Sequence, residues 1–130
     1  MISHGTALAP AMGNYNELAV WQKSVELVVQ VYEATKVFPE DELFGLRLQM
    51  RRAAVSIPCN VAEGQGRSTS KDYRRFVFQA RGSLLELETQ FVICERLQFL
   101  DSAKCTEFRT KTAEIGRMLN GLLRYLTPDS

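Results

Sequence analysis

Histidine is almost missing from this chain: the one copy, His4, stands in a small, unpatterned N-terminal stretch. A serine or cysteine nucleophile needs a base within hydrogen-bond reach, and no histidine of a periodic segment can serve as one. Two-metal bundle enzymes need glutamates together with Glu-x-x-His pairs on facing helices, and that set is lacking too. Cysteine is sparse, with three residues (Cys59, Cys94, Cys105) and no CxxC pair. An odd, unpaired set argues against a disulfide framework and for a reducing, cytoplasmic compartment. Long apolar runs are absent, so no membrane span is expected, and the N-terminus lacks the charged and apolar blocks of a secretory signal. The stretch GQGRSTSK from Gly64 to Lys71 imitates a phosphate loop but lacks the glycine directly before the lysine and any preceding strand. Nucleotide hydrolysis is therefore excluded, although such a turn can cradle a phosphate through backbone N–H groups. The expectation is a protein that is not an enzyme and carries no cofactor or metal.

What is present is helical periodicity. The 130 residues fit one domain, expected at 16–127 behind a disordered extension over 1–15. A first helix is predicted from an Asn16 cap to Val37, with Leu18, Trp21, Val25, Val28 and Tyr32 on one stripe. It ends before Phe38-Pro39, because the residue preceding proline is pushed out of the α region. A second helix, capped by Asp41, shows two apolar stripes: Leu43, Leu46, Met50, Ala54, Ile57 and Val61, then Phe44, Leu48, Val55, Cys59 and Ala62. So wide an apolar surface predicts a helix covered on more than one side, kinked at Pro58 and stopped at Gly64. A third helix over 70–99, capped by Ser68 or Thr69, with Thr69 and Asp72 spaced like a capping box, buries Tyr73, Phe76, Ala80, Leu84, Leu87, Phe91 and Cys94. A fourth, capped by Asp101 or Ser102, runs to Leu126 with Phe108, Ile115, Met118 or Leu119, Leu122 and Leu126 inward, and Thr127-Pro128 stops it. The fold class is all-α: an antiparallel up-down-up-down four-helix bundle.

Charge is distributed unevenly. Residues 47 to 81 hold eight cations against two anions, while the rest of the chain holds eight against thirteen. Arg51, Arg52, Arg67, Lys71, Arg74 and Arg75 are the candidate nucleic-acid-binding residues, a stripe suited to a polyanion backbone. Cations in the first turns of a helix oppose its macrodipole, which points to a use for Lys71, Arg74 and Arg75 beyond helix stability. Tyr73 and Phe76 fit the core stripe, so no aromatic is interleaved with the charges, and base stacking is not expected. Glu86, Glu88 and Glu95 are candidate partners for arginines of a neighbouring helix or subunit, with Glu86 or Glu88 expected to engage Arg51 and Arg52.

The third helix carries a second apolar line, Phe78, Leu85, Val92 and Phe99, repeating every seven residues. A helix in a monomeric bundle needs one seam, so this line is the candidate oligomer interface. Gly82 and Ser83 beside it suit close approach by another helix.

Three segments, LAVWQKSVELV from Leu18, FGLRLQMRRAAVSIPCNVAEG from Phe44 and ARGSLLELETQ from Ala80, give the chain a resemblance to the bacterial four-helix-bundle proteins encoded in intervening sequences of 23S ribosomal RNA genes. Cys59 stands where that family often has serine. The resemblance implies a left-handed bundle assembling as a ring, a homopentamer. A similar fold occurs in the accessory protein of diversity-generating retroelements, which binds nucleic acid and a reverse transcriptase. The expected partners are thus a second copy of the chain, RNA or DNA, and a partner protein such as a reverse transcriptase. The resemblance brings no catalytic residues.

Overall fold

The computed structural model describes Tyr15, residues 18–42 and residues 45–126. Residues 1–14 of the expected extension, the Asn16 cap, Leu43, Phe44 and the Thr127-Pro128 stop lie outside the described residues. Within them the chain forms four α-helices, α1 (Ala19–Thr35), α2 (Leu46–Gln65), α3 (Ser70–Arg96) and α4 (Ser102–Tyr125), with a 3-10 turn at Glu40–Glu42 between the first two. Each helix packs on its sequence neighbours, α1 also touches α4, and neither diagonal pair brings Cα atoms within 8 Å among the described residues. This is a four-helix bundle with one central core.

The buried face of α1 is rotated from the expected stripe. Val20, Ser24, Leu27, Val31 and Thr35 are buried, while Trp21, Val25 and Val28 are half-buried and Tyr32 is exposed. Apolar counting overlooks the two hydroxyl residues on the inner face. Ser24 donates to the carbonyl of Val20 (2.7 Å) and Thr35 to that of Val31 (2.8 Å), so both enter the core without an unpaired polar group.

Helix α2 is the centre of the bundle, covered by α1 on one side and most extensively by α3 on the other. Met50, Ala53, Ala54, Ile57, Pro58, Val61 and Gly64 are buried. The second stripe is only partly covered: Leu48, Val55 and Ala62 are half-buried and Cys59 is exposed. Gly64 is not a stop, because the helix runs on to Gln65 and Gly66 takes the C-cap. A Cβ on Gly64 would lie 2.9 Å from Phe76 Cβ and 3.0 Å from the Tyr73 ring, so its task is to let α2 and α3 close together. Away from that end, Ser83 Oγ donates to Ser56 Oγ (2.8 Å) and Cys94 Sγ to Met50 Sδ (3.3 Å).

Helix α3 begins as expected, with the Thr69 hydroxyl accepting from the Asp72 N–H at 3.2 Å. It ends at Arg96, three residues short of the predicted Phe99. Gln98 there adopts φ 62°, and the N–H groups of Gln98 and Phe99 donate back to the carbonyls of Glu95 and Cys94. That pair of bonds is a Schellman closure, usually built with glycine, and a non-glycine residue in it gives no warning in the sequence. Helix α4 starts at an Asp101 cap whose carboxylate accepts from the Lys104 N–H (2.7 Å). It buries Phe108, Ile115, Leu119, Leu122 and Leu123, with the Phe91 and Phe108 rings stacked 4.5 Å apart across α3 and α4.

Candidate nucleic-acid interface

Hydrogen bonds sort the arginines into ties within the fold and free surface cations. Arg51 donates from Nε to Thr35 Oγ1 (2.9 Å) and from a terminal nitrogen to the Tyr32 carbonyl (3.1 Å), its guanidinium 4.4 Å from the Tyr32 ring centroid. Arg47 donates to the Phe38 carbonyl (3.0 Å). Both therefore satisfy carbonyls at and beyond the C-terminal end of α1, where a cation is favoured by the helix dipole. The expected pairing of Arg51 and Arg52 with Glu86 or Glu88 does not form. Arg51 turns to α1, Glu86 accepts from Gln90, and Arg52 is exposed. Glu95 does meet an arginine of a neighbouring helix, Arg109 of α4.

The remaining sequence-predicted cations converge on the start of α3. Arg67 pairs with Glu63 at 3.0 Å, and its guanidinium and that of Arg75 each lie 4.5 Å from the Phe76 ring centroid. Arg75 keeps only a long 3.8 Å contact with Asp72. Lys71 is exposed and makes no ion pair among the described residues. Arg74 is different: it donates to the carbonyl of Leu123 and, at 3.0 Å, to that of Leu126, closing the C-terminal end of α4. Lys71, Asp72, Arg74, Arg75, Phe78 and Gln79 line an open concavity of ≈ 660 Å³.

Sequence reasoning missed the α4 side of this surface. Arg81 donates to Asn120 Oδ1 (3.1 Å) and the built Cβ of Gly116 would lie 3.4 Å from Leu84, so this stretch of α4 runs alongside residues 74–84 of α3. Arg117 and Arg124 stand three and four residues from Asn120, hence on the same face, and both are exposed. Residues 71–85 of α3 and 116–126 of α4 together carry six cations against one carboxylate, Asp72. The signal was available as a stretch, GRMLNGLLRYL, that contains no anion at all. Arg51 and Arg52, on α2, are not brought into this surface.

The expected apolar line on α3 also divides. Leu85 and Val92 are exposed at 57 % and 38 %, and Gly82 beside them opens on empty space. Phe99 instead packs on the Phe38 ring, centroids 5.2 Å apart. Phe78, 43 % exposed, sits between two guanidiniums, Arg74 at 5.4 Å and Arg81 at 4.9 Å. The expectation that no aromatic is interleaved with the charges is corrected by this ring: helical periodicity placed it in an apolar seam, although its neighbours one turn away on α3, Arg74 and Arg81, are both cations.

The titratable groups of the interior are shifted away from use at neutral pH. Burial pushes the Tyr73 hydroxyl and the Cys94 thiol each up to about 12. Burial, with nearby Glu95 adding to it, raises Cys105 as well. No described helix is long and apolar enough to cross a membrane.

Residues 16–121 match the family described as 23S rRNA-intervening sequence protein. No curated protein matches the chain. Among solved structures, the chain is similar to a Bacteroides thetaiotaomicron protein of unknown function from the S23 ribosomal protein family. That likeness has a TM-score of 0.73 at 20 % identity, over 81 % of this chain and 98 % of the other, and it speaks for the fold.

Proposed function

We propose, from the premise that this chain belongs to the 23S rRNA-intervening sequence protein family, that it is a non-enzymatic, homo-oligomeric protein of the cytoplasm that binds the phosphate backbone of RNA or DNA. The observation that carries this reading is the pair of adjoining stretches, 71–85 of α3 and 116–126 at the end of α4, with six cations and one carboxylate. Lys71, Arg117 and Arg124 on it have no ion-pair partner among the described residues. Unpaired cations on one face neutralise a polyanion without first breaking internal bonds, and release its condensed counterions.

The bundle is antiparallel, up-down-up-down and left-handed in this reading. The contacts Gly64 with Tyr73, Ser56 with Ser83 and Met50 with Cys94 run in opposite order along α2 and α3 and support the antiparallel part. Copies associate as a ring, a pentamer, through Leu85 and Val92, where Gly82 lets a second helix approach. A ring repeats the basic face around its circumference and multiplies weak phosphate contacts by raising their effective concentration.

Titrating labelled mixed-sequence RNA at low salt tests the reading. Binding that Lys71→Glu with Arg75→Glu strongly weakens supports it, and no binding at low salt overturns it. Arg74 is avoided as a probe because its loss would free the end of α4. One observation favours a protein-interaction scaffold, with a reverse transcriptase as one such partner: Ile93 and Leu97 are also exposed, at 42 % and 53 %. Capture of one stoichiometric protein after nuclease treatment, without RNA binding, selects that alternative.

A further inference from the structure

Phe78 stands on α3 one turn after Arg74 and one turn before Arg81, and the fold does not need its ring in the core, where Val77 and Ala80 already fill the inner face. The two flanking cations are held differently. Arg74 is fixed by two carbonyl acceptors at the end of α4. Arg81 holds only the exposed side-chain oxygen of Asn120, a bond in direct competition with water. The ring thus adjoins one fixed guanidinium and one free to move. The concavity bounded by Lys71, Arg75 and Gln79 opens beside it.

We propose that Phe78 is a stacking platform for an unpaired nucleobase, which makes this face selective for single-stranded nucleic acid over duplex. The proposal rests on the backbone-binding reading above and specifies its ligand. A base takes the place of the Arg81 guanidinium against the ring, and the displaced cation moves to the adjoining phosphate. Lys71 and Arg75 hold the phosphate on the other side, and the exposed amide of Gln79 offers a donor and an acceptor to the base edge. Bases inside a duplex have both faces covered by their neighbours, so only a single strand, a loop or a frayed end can make the contact.

Three labelled ligands of equal length separate stacking from charge: an oligothymidine, the same backbone bearing abasic sugars, and a duplex. The oligothymidine should bind about 5- to 150-fold more tightly than the abasic strand, the range for one base–aromatic stack. Phe78→Ala should erase that ratio, and Phe78→Trp should keep it. Equal affinity for the base-bearing and abasic strands would overturn the proposal while leaving backbone binding standing. So would a Phe78→Ala protein that keeps the ratio but loses mass in light scattering, the mark of a subunit contact. Failure of every strand to bind would overturn both readings together.

Discussion

Replacing Gly64 with alanine tests how closely α2 and α3 meet. On an open helix the substitution stabilises, because alanine exceeds glycine in helix propensity by about 0.8–1 kcal/mol. Here the added Cβ would meet Phe76 Cβ at 2.9 Å, the Tyr73 ring at 3.0 Å and the Tyr73 carbonyl oxygen at 3.2 Å. None of these is the loose end of a flexible side chain. Tyr73 is fully buried, and relief requires separation of α2 and α3, the most extensively packed pair of helices. Overpacking of this kind costs roughly 1–3 kcal/mol. With backbone and Cβ atoms resisting, the upper part of that range applies, for a net loss of about 1–2 kcal/mol after the propensity gain. Gly121 is the internal control, because its added Cβ meets only the flexible end of Arg124, at 3.7 Å, and Gly121→Ala should gain about 0.8–1 kcal/mol. Urea unfolding of both variants at one protomer concentration, with the slope checked for constancy, reads the difference. A Gly64→Ala protein as stable as Gly121→Ala would refute the close approach.

Gln98 holds φ 62° in the closure of α3, and Gln98→Gly should stabilise by about 0.5–1 kcal/mol as the left-handed strain is relieved, measured by the same unfolding curves. Cys94 and Tyr73 ionise at 9.0 and 10.0 when unfolded but only near 12 when folded. Their contribution is therefore complete below pH 9 and lost as pH rises towards 12, because there the unfolded chain has released protons the folded one retains. Urea midpoints should fall across that window, and less steeply in Tyr73→Phe. Leu85→Arg should leave the helical circular dichroism intact and reduce the mass seen by light scattering; an unchanged mass would remove Leu85 from the subunit contact.

Much of the fold was legible because apolar spacing reports the inner faces of long helices directly. The residues expected inward on α3 and α4 are buried, with Leu119 rather than Met118, while Val77, Cys105, Thr112 and Leu123 join them unannounced, and the Thr69 and Asp101 caps follow from side-chain chemistry adjacent to the helix. Errors arose where the spacing rule has no access. Ser24 and Thr35 are polar by composition, yet bury because each hydroxyl finds a carbonyl one turn back. Gly64 looked like a helix stop, since a sequence cannot tell a glycine needed for closure from one needed for a turn. The basic surface was half legible. Lys71, Arg74, Arg75 and Arg81 are local on one helix, whereas Arg117 and Arg124 join them only through the packing of α4. Arg51 could not be separated from ligand-binding arginines until its acceptors at the end of α1 were located.

Electrostatic capture of nucleic acid by the basic stretches of α3 and α4 is tested most directly by the salt dependence of single-strand binding. Each phosphate neutralised contributes about −0.7 to the slope of log affinity against log salt. The wild-type protein should show a steep slope, and Lys71→Glu with Arg75→Glu should make it shallower by about 1.4 per engaged protomer. A slope near zero, or one that the double charge reversal leaves unchanged, would contradict the assignment.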